Sequence, residues 1–174
     1  ILRMGEQAFR VHFVGNPGID RLAMTEVLCK KDVLDYYEFK DHSLPLLVVV
    51  QHVISTEIDQ SYNQMKITME AVKSLGYNTV MSYPNSDAGS RDIIQCINEY
   101  RNIPNLKISK FIPRSEFVNT LRYADCLIGN SSLGLLEAPY FNLPAVNIGN
   151  RQAKRFHAGN ILFVDHDINE IVAA

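Results

Sequence analysis

Four short segments, each following an aliphatic or β-branched run, carry the polar side chains that could do chemistry. The first is Gln51-His52-Val53-Ile54-Ser55-Thr56-Glu57. A histidine there can donate a hydrogen bond to a phosphate or act as acid or base near neutral pH. It can equally satisfy loop carbonyls while Ser55 or Thr56 caps the next helix. The second, Tyr83-Pro84-Asn85-Ser86-Asp87-Ala88-Gly89-Ser90, has the composition of a structural loop. Asn85 is still placed to read a polar ligand edge. The third is Gly129-Asn130-Ser131-Ser132-Leu133-Gly134. Small residues let a backbone approach a ligand closely, and free amides at a helix start beside serine hydroxyls favour phosphate oxygens. Glu137 follows in that helix, suited to a sugar hydroxyl. The structural alternative is a serine N-cap with a packing glycine; the spacing is neither a Walker loop nor GxGxxG. The fourth, Gly149-Asn150-Arg151-Gln152-Ala153-Lys154-Arg155, gathers three cations after an aliphatic run. Such clusters are commonly solvated surface. Arg151, nearest the strand end, is the best placed to pair with an anion.

These segments need elements to position them, and the chain supplies an alternation. Strands are expected at residues 11–15, 46–51, 79–83, 106–111, 126–129, 145–148 and 161–164. The run at 46–51 is apolar throughout but for its last residue, as for a strand buried on both faces of a parallel sheet. Asn16-Pro17-Gly18 reads as an N-cap with proline in the first turn of a helix from about Ile19. Ile58, Tyr62, Met65, Met69, Val72 and Leu75 recur at helical spacing, with Gly76 as C-cap. Ile93, Ile94, Ile97 and Tyr100 mark another helix. Phe117, Leu121 and Ala124 mark a short one starting near Ser115, its candidate cap. Residues 133–141 form the last. Strands alternating with helices imply one doubly wound, Rossmann-like α/β domain over residues 1–174, with ligands beyond the carboxyl ends of the strands.

Composition narrows the function classes. With 174 residues, 47% hydrophobic and 21% charged, the chain can bury a single core. A net charge of -2 gives no general attraction to nucleic acid or to an anionic membrane. The apolar run at residues 44–50 is too short to span a bilayer. Cys29, Cys96 and Cys126 form no CxxC pair and no even-numbered framework, which favours a reducing, cytoplasmic compartment. The start at Ile1-Leu2-Arg3 suggests a segment of a larger protein.

Taken in order, several motifs resemble the hydrolysing UDP-N-acetylglucosamine 2-epimerases, and among them the subset feeding sialic-acid-type sugar synthesis. They are Val14-Gly15-Asn16-Pro17-Gly18-Ile19-Asp20, Gln51-His52 with Thr56-Glu57, and the whole segment from Pro84 to Ser90. Gly129-Asn130-Ser131-Ser132-Leu133-Gly134 with Glu137-Ala138-Pro139, and Asn147-Ile148-Gly149-Asn150-Arg151-Gln152, complete the set. The match covers nearly the whole chain and keeps motif order.

The resemblance implies the C-terminal, UDP-holding half of a glycosyltransferase-B architecture, with an N-terminal domain as its missing partner and a homo-oligomer open for the intact enzyme. By motif match His52, Asn85, Ser131, Ser132, Glu137 and Arg151 would surround the nucleotide. Ser131, Ser132 and Arg151 would take the diphosphate, Glu137 the ribose, and backbone near Phe111 and Ile112 the uracil. His52 would sit at the cleft as the catalytic candidate of this half. The implied reaction is elimination of UDP from UDP-N-acetylglucosamine, then addition of water to give N-acetylmannosamine, with no cofactor and no metal. In the family the carboxylates that move the carbon-bound proton belong to the other domain. Two departures stand out: Val53 replaces a frequent proline, and Lys154 stands where glycine is frequent. The donor half of a UDP-sugar glycosyltransferase and a non-catalytic nucleotide-sugar module are the alternatives.

Overall fold

The computed structural model describes residues 1–174. Its centre is β1 (Leu46–Val50), whose five residues are all buried. Leu47 and Val49 face one side and join a core with Met65, Met69, Val72, Ile93 and Ile97. Val48 and Val50 face the other and pack with Leu121, Leu127, Leu135 and Leu143. A strand apolar on both faces therefore divides two helical layers, as its composition requires.

The other strands are β2 (Asn78–Ser82), β3 (Leu106–Ser109), β4 (Cys126–Gly129), β5 (Ala145–Ile148) and β6 (Ile161–Val164). All pairings are parallel, in the order β3-β2-β1-β4-β5-β6. The order reverses between β1 and β4, where Val50 lies opposite Gly129. In doubly wound sheets such a switch point opens a crevice at the carboxyl ends. The doubly wound α/β expectation is thus met.

The helices are α1 (Pro17–Ala23), α2 (Lys30–Tyr36), α3 (Ser61–Leu75), α4 (Ser90–Glu99), α5 (Arg114–Tyr123), α6 (Leu133–Leu136) and α7 (Ile168–Ala173). Asn16 caps α1 through the Gly18 N–H at 2.9 Å, with Pro17 in the first turn. Gly76 ends α3 in the left-handed region at φ 66°. On one face α3 packs on α4 and α7; on the other α2 packs on α5.

Several expectations need correction. Residues 11–15 pair with no strand, and Phe13 and Val14 are exposed. β-propensity reports fit to a pleated, half-buried surface, and here no neighbouring strand provides one. Pro113, not Ser115, occupies the N-cap of α5 and makes no side-chain cap bond. The expected helix at 133–141 is split into α6 and a 3-10 turn, Ala138–Phe141. Pro139 has no N–H with which to continue the helical ladder. Neither Ser55 nor Thr56 caps a helix, because a 3-10 turn, Ile58–Gln60, headed by Glu57 precedes α3. Helices α2 and α7 are additions to the sequence-based expectation.

Candidate functional site

The loops after β1, β2, β4 and β5 meet at the switch point. Gly129 ends β4 with φ 132°, and a Cβ there would lie 2.2 Å from the Val50 carbonyl oxygen. Only glycine lets the two strand ends approach so closely. Asn130, wholly buried, follows. Its Oδ1 accepts from the His52 N–H at 2.8 Å, and its Nδ2 donates to the His52 carbonyl at 2.8 Å. Its own carbonyl accepts from Arg151 Nη1 at 3.1 Å and from Gln152 Nε2 at 2.9 Å.

His52 is half-buried, and its Nδ1 accepts from the Asn85 backbone N–H at 3.2 Å. The neutral ring must then carry its proton on Nε2, which has no partner within the chain and is available as a donor. Burial lowers the His52 pKa, the Arg151 guanidinium lowers it further, and Asp87 partly opposes both. The ring is therefore a neutral donor at neutral pH. Asn85 is exposed, and its side chain makes no hydrogen bond within the chain.

Ser131 and Ser132 are half-buried, and their backbone N–H groups make no hydrogen bond within the chain. Helix α6 has only 4 residues, so its dipole is slight. Local amides and hydroxyls, more than a macrodipole, make this loop attractive to phosphate oxygens.

The remaining candidates share no direct hydrogen bond with these residues. Glu137 lines a cleft with Gly18, Arg21, Arg114, Phe117 and Leu133. Its Oε2 is buried without a partner. Burial pushes its carboxyl above the usual carboxylate range, although its own backbone amide and Arg114 pull the other way. Phe111 is 77% exposed, and its carbonyl accepts from the Ser109 hydroxyl at 2.6 Å. Ile112 packs against the core around Val33 and Tyr37, and its backbone amide and carbonyl make no bond within the chain. A separate groove beyond β5 and β6 is lined by Lys154, Arg155 and His157, but also by Asp165 and Glu170.

A protein-family model described as UDP-N-acetylglucosamine 2-epimerase matches residues 1–174. The chain belongs to the UDP-N-acetylglucosamine 2-epimerase family. One relative, a hydrolysing UDP-N,N'-diacetylbacillosamine 2-epimerase of Legionella pneumophila, is 33% identical over 165 residues. The match covers 95% of this chain and 44% of that protein. A UDP-N-acetylglucosamine 2-epimerase of Neisseria meningitidis is 25% identical, over 100% of this chain and 45% of its own length. The chain thus spans less than half the length of these relatives. A solved Neisseria UDP-GlcNAc 2-epimerase bound to UDP-GlcNAc shares the fold, with a TM-score of 0.72 at 14% identity. It is matched over 99% of this chain and 48% of that one. Sucrose-phosphate synthase of Thermosynechococcus elongatus shares the fold more distantly, with a TM-score of 0.56 at 15% identity, over 88% of this chain and 40% of that one.

For this UDP-N-acetylglucosamine 2-epimerase family member, the two departures leave the loops intact. Val53 is buried among core residues, which anchors the loop without proline. Lys154 adopts φ 65°, the left-handed conformation that glycine favours. Arg155 donates to Gln152 Oε1 at 2.7 Å, so it supports the loop and is not merely solvated.

Residues not singled out from sequence include Asn130, Gln152, Arg21 and Arg114. Glu57 accepts from Gln64 at 2.6 Å through Oε2 and from Asn150 at 2.9 Å through Oε1, tying the β1 loop to the β5 loop. With both oxygens engaged it is a brace. Asn130 and Gln152 each stood inside a quoted motif, but their bonds cross 78 and 22 residues. Local spacing carries no signal of that kind.

Proposed function

We propose that this chain is the UDP-binding half of a hydrolysing UDP-N-acetylglucosamine 2-epimerase. In the intact enzyme the products are N-acetylmannosamine and UDP. The observation that carries the reading is the meeting of His52, Arg151 and the Ser131-Ser132 amides at the switch point, where a diphosphate would find neutral and charged donors together. Glu137, with its unpartnered oxygen, would accept from the ribose hydroxyls. Asn85 would reach a polar edge, and the free backbone groups of Ile112, beside Phe111, suit the uracil amide.

In the reaction the proton leaves the sugar's second carbon, the bond from the first carbon to the diphosphate oxygen breaks, and a carbon–carbon double bond forms. Water then adds across it. This half lowers the barrier by stabilising the departing diphosphate, through the Nε2–H of His52 and the guanidinium of Arg151. Preorganised donors are worth most where negative charge develops. The groups that take and return the carbon-bound proton are assigned to an N-terminal domain, which also closes the cleft over the sugar.

A second reading of the sugar follows from the 33% identical relative, which acts on UDP-N,N'-diacetylbacillosamine: that sugar nucleotide in place of UDP-N-acetylglucosamine. Calorimetric titration with UDP, UDP-N-acetylglucosamine and ADP tests the nucleotide. UDP is expected to bind and ADP to fail; equal binding of both removes the reading. Product assays on the chain mixed with its N-terminal half, with each sugar nucleotide, separate the two sugars. The chain alone is expected to release no free N-acetylmannosamine, and robust turnover by it would refute its assignment as half an enzyme.

A further inference from the structure

Asn130 uses almost every polar group it has. Its N–H donates to the Val50 carbonyl at 3.2 Å, continuing the β1–β4 ladder one residue past the strand end. Its side-chain amide closes a two-bond ring on the backbone of His52. Its carbonyl holds both Arg151 and Gln152. A carbonyl oxygen has two lone pairs, so this acceptor is full. Asn130 is wholly buried, and no water-exposed geometry competes with these bonds.

We propose that Asn130 is a positioning residue that fixes the His52 imidazole and the Arg151 guanidinium in one frame, so that an anion at the switch point meets both at once. The proposal rests on the UDP-binding reading above. Each link is specific. The His52 backbone cannot rotate while the Asn130 amide grips both its N–H and its carbonyl. A fixed backbone keeps Nδ1 under the Asn85 N–H and so keeps the proton on Nε2. Arg151 leans on the carbonyl of the same residue, so a displaced Asn130 moves both donors together. Asn130 touches no ligand in this arrangement; it acts through the two residues that do. Supporting residues of this kind commonly matter about 10–100-fold to the groups they orient, as outer-shell partners do at metal sites.

Two readouts test it, one of them independent of nucleotide. In the 15N-labelled chain, imidazole NMR should show His52 as a single Nε2–H tautomer that titrates below ordinary histidine. In Asn130→Ala it should become a tautomer mixture and titrate closer to ordinary histidine, because the ring gains solvent and separates from Arg151. In Asn130→Asp one clamp bond to the His52 N–H survives, and partial retention of the Nε2–H tautomer is expected. This second variant serves if alanine fails to fold. A folded variant of either kind with an unchanged His52 spectrum overturns the proposal. The second readout is a double-mutant cycle on UDP affinity. Asn130→Ala should weaken binding about tenfold, and adding His52→Ala should cost under about twofold more. Fully additive losses also overturn it. If wild type binds no UDP yet the tautomer shifts, the nucleotide reading fails and the positioning stands. If UDP binds and the tautomer does not move, the positioning fails alone.

Discussion

Around His52 and Arg151 the loops are tied to one another through buried amides and carbonyls, whereas around Glu137 the charged groups share a cleft and make no ion pair. Arg21, Arg114 and Glu137 all line that cleft, yet one carboxylate oxygen of Glu137 stays buried and unbonded. The first region has spent its polar groups on internal order, leaving a few aimed donors. The second keeps an unsatisfied acceptor, a state that costs stability unless a partner arrives. A preorganised end suits a leaving group whose charge must be met without rearrangement. An unsatisfied end suits recognition of hydroxyl groups that bind and leave.

The sharpest way to break the ordered region is to separate its two strand ends. Gly129→Ala puts a Cβ against the Val50 carbonyl oxygen, a contact no side-chain rotation relieves. A loss of about 3 kcal/mol or more in folding stability is expected. Gly159→Ala is the control. It also has positive φ, at 87°, but nothing lies within 4 Å of the added carbon. Its loss should be about 1 kcal/mol. Urea unfolding of both variants decides, and equal losses would mean that close approach at the switch point is unimportant.

Next in size is the contrast between two arginines four residues apart. Arg151→Ala should weaken UDP binding by about 1.5–3 kcal/mol, the worth of a charge-assisted contact. Arg155→Ala removes only a support for Gln152 and should cost less than about 1 kcal/mol. Calorimetry on the two variants checks this. Equal losses would place the anion nearer the groove lined by Lys154 and Arg155.

How much of this was legible differs between the same two regions. The strand ends were readable, because a wholly aliphatic run at residues 46–50 and a largely aliphatic one at 145–148 announce buried parallel strands. Their following loops therefore had to share an edge. Residues 11–15 misled for the complementary reason: a β-favouring run becomes a strand only when a neighbour exists to pair with it. Helix α2 escaped notice because it is a 7-residue segment, with only Val33 and Leu34 fully buried within it. The Asn130 network was illegible because side-chain amides paired with distant backbone leave no periodicity. The cleft that Glu137 shares with Arg21 and Arg114 was equally hidden, because α1, α5 and α6 meet there only through tertiary packing.

The open region is probed by Glu137→Gln, which should weaken UDP binding about tenfold by replacing a charged acceptor. Its stability effect should have the opposite sign. Glu137 has a folded pKa raised above its ordinary 4.5, because burial disfavours the charge. Its protonated form is stabilised by folding, so that contribution is present below about pH 4.5 and lost as pH rises through the folded value. Glutamine cannot titrate, so the variant should gain on wild type as pH rises, the gain being small because solvent screens the half-buried carboxyl. His52 and His166 titrate in both proteins; their lowered pKa values make stability fall as pH falls below the ordinary 6.5. They cancel in the difference. Thermal melts of both proteins at several pH values supply the test, and a difference that shrinks with rising pH would show that Glu137 already has a partner.

The smallest expected effect concerns Lys154, which sits on the rim of the ordered region. It is one of three non-glycine residues with positive φ, at 65°, and its side chain is exposed. For an L-residue that conformation costs about 1–2 kcal/mol. Glycine removes the cost, but it also widens the unfolded ensemble by about 0.4–1 kcal/mol. The first term is the larger, so Lys154→Gly should stabilise by between roughly 0 and 1.6 kcal/mol. Lys154→Val keeps the backbone strain and adds a branched Cβ, so it should destabilise by about 1 kcal/mol or more. Because Asn150 is held by Glu57 and Arg151 by Asn130, upstream of Lys154, UDP affinity should stay within about twofold in the glycine variant. Urea unfolding and UDP titration of the two variants distinguish the cases. A glycine variant that loses UDP affinity strongly would mean that the lysine charge reaches the ligand, and the boundary between the ordered anion site and the neighbouring groove would then have to move outward to include it.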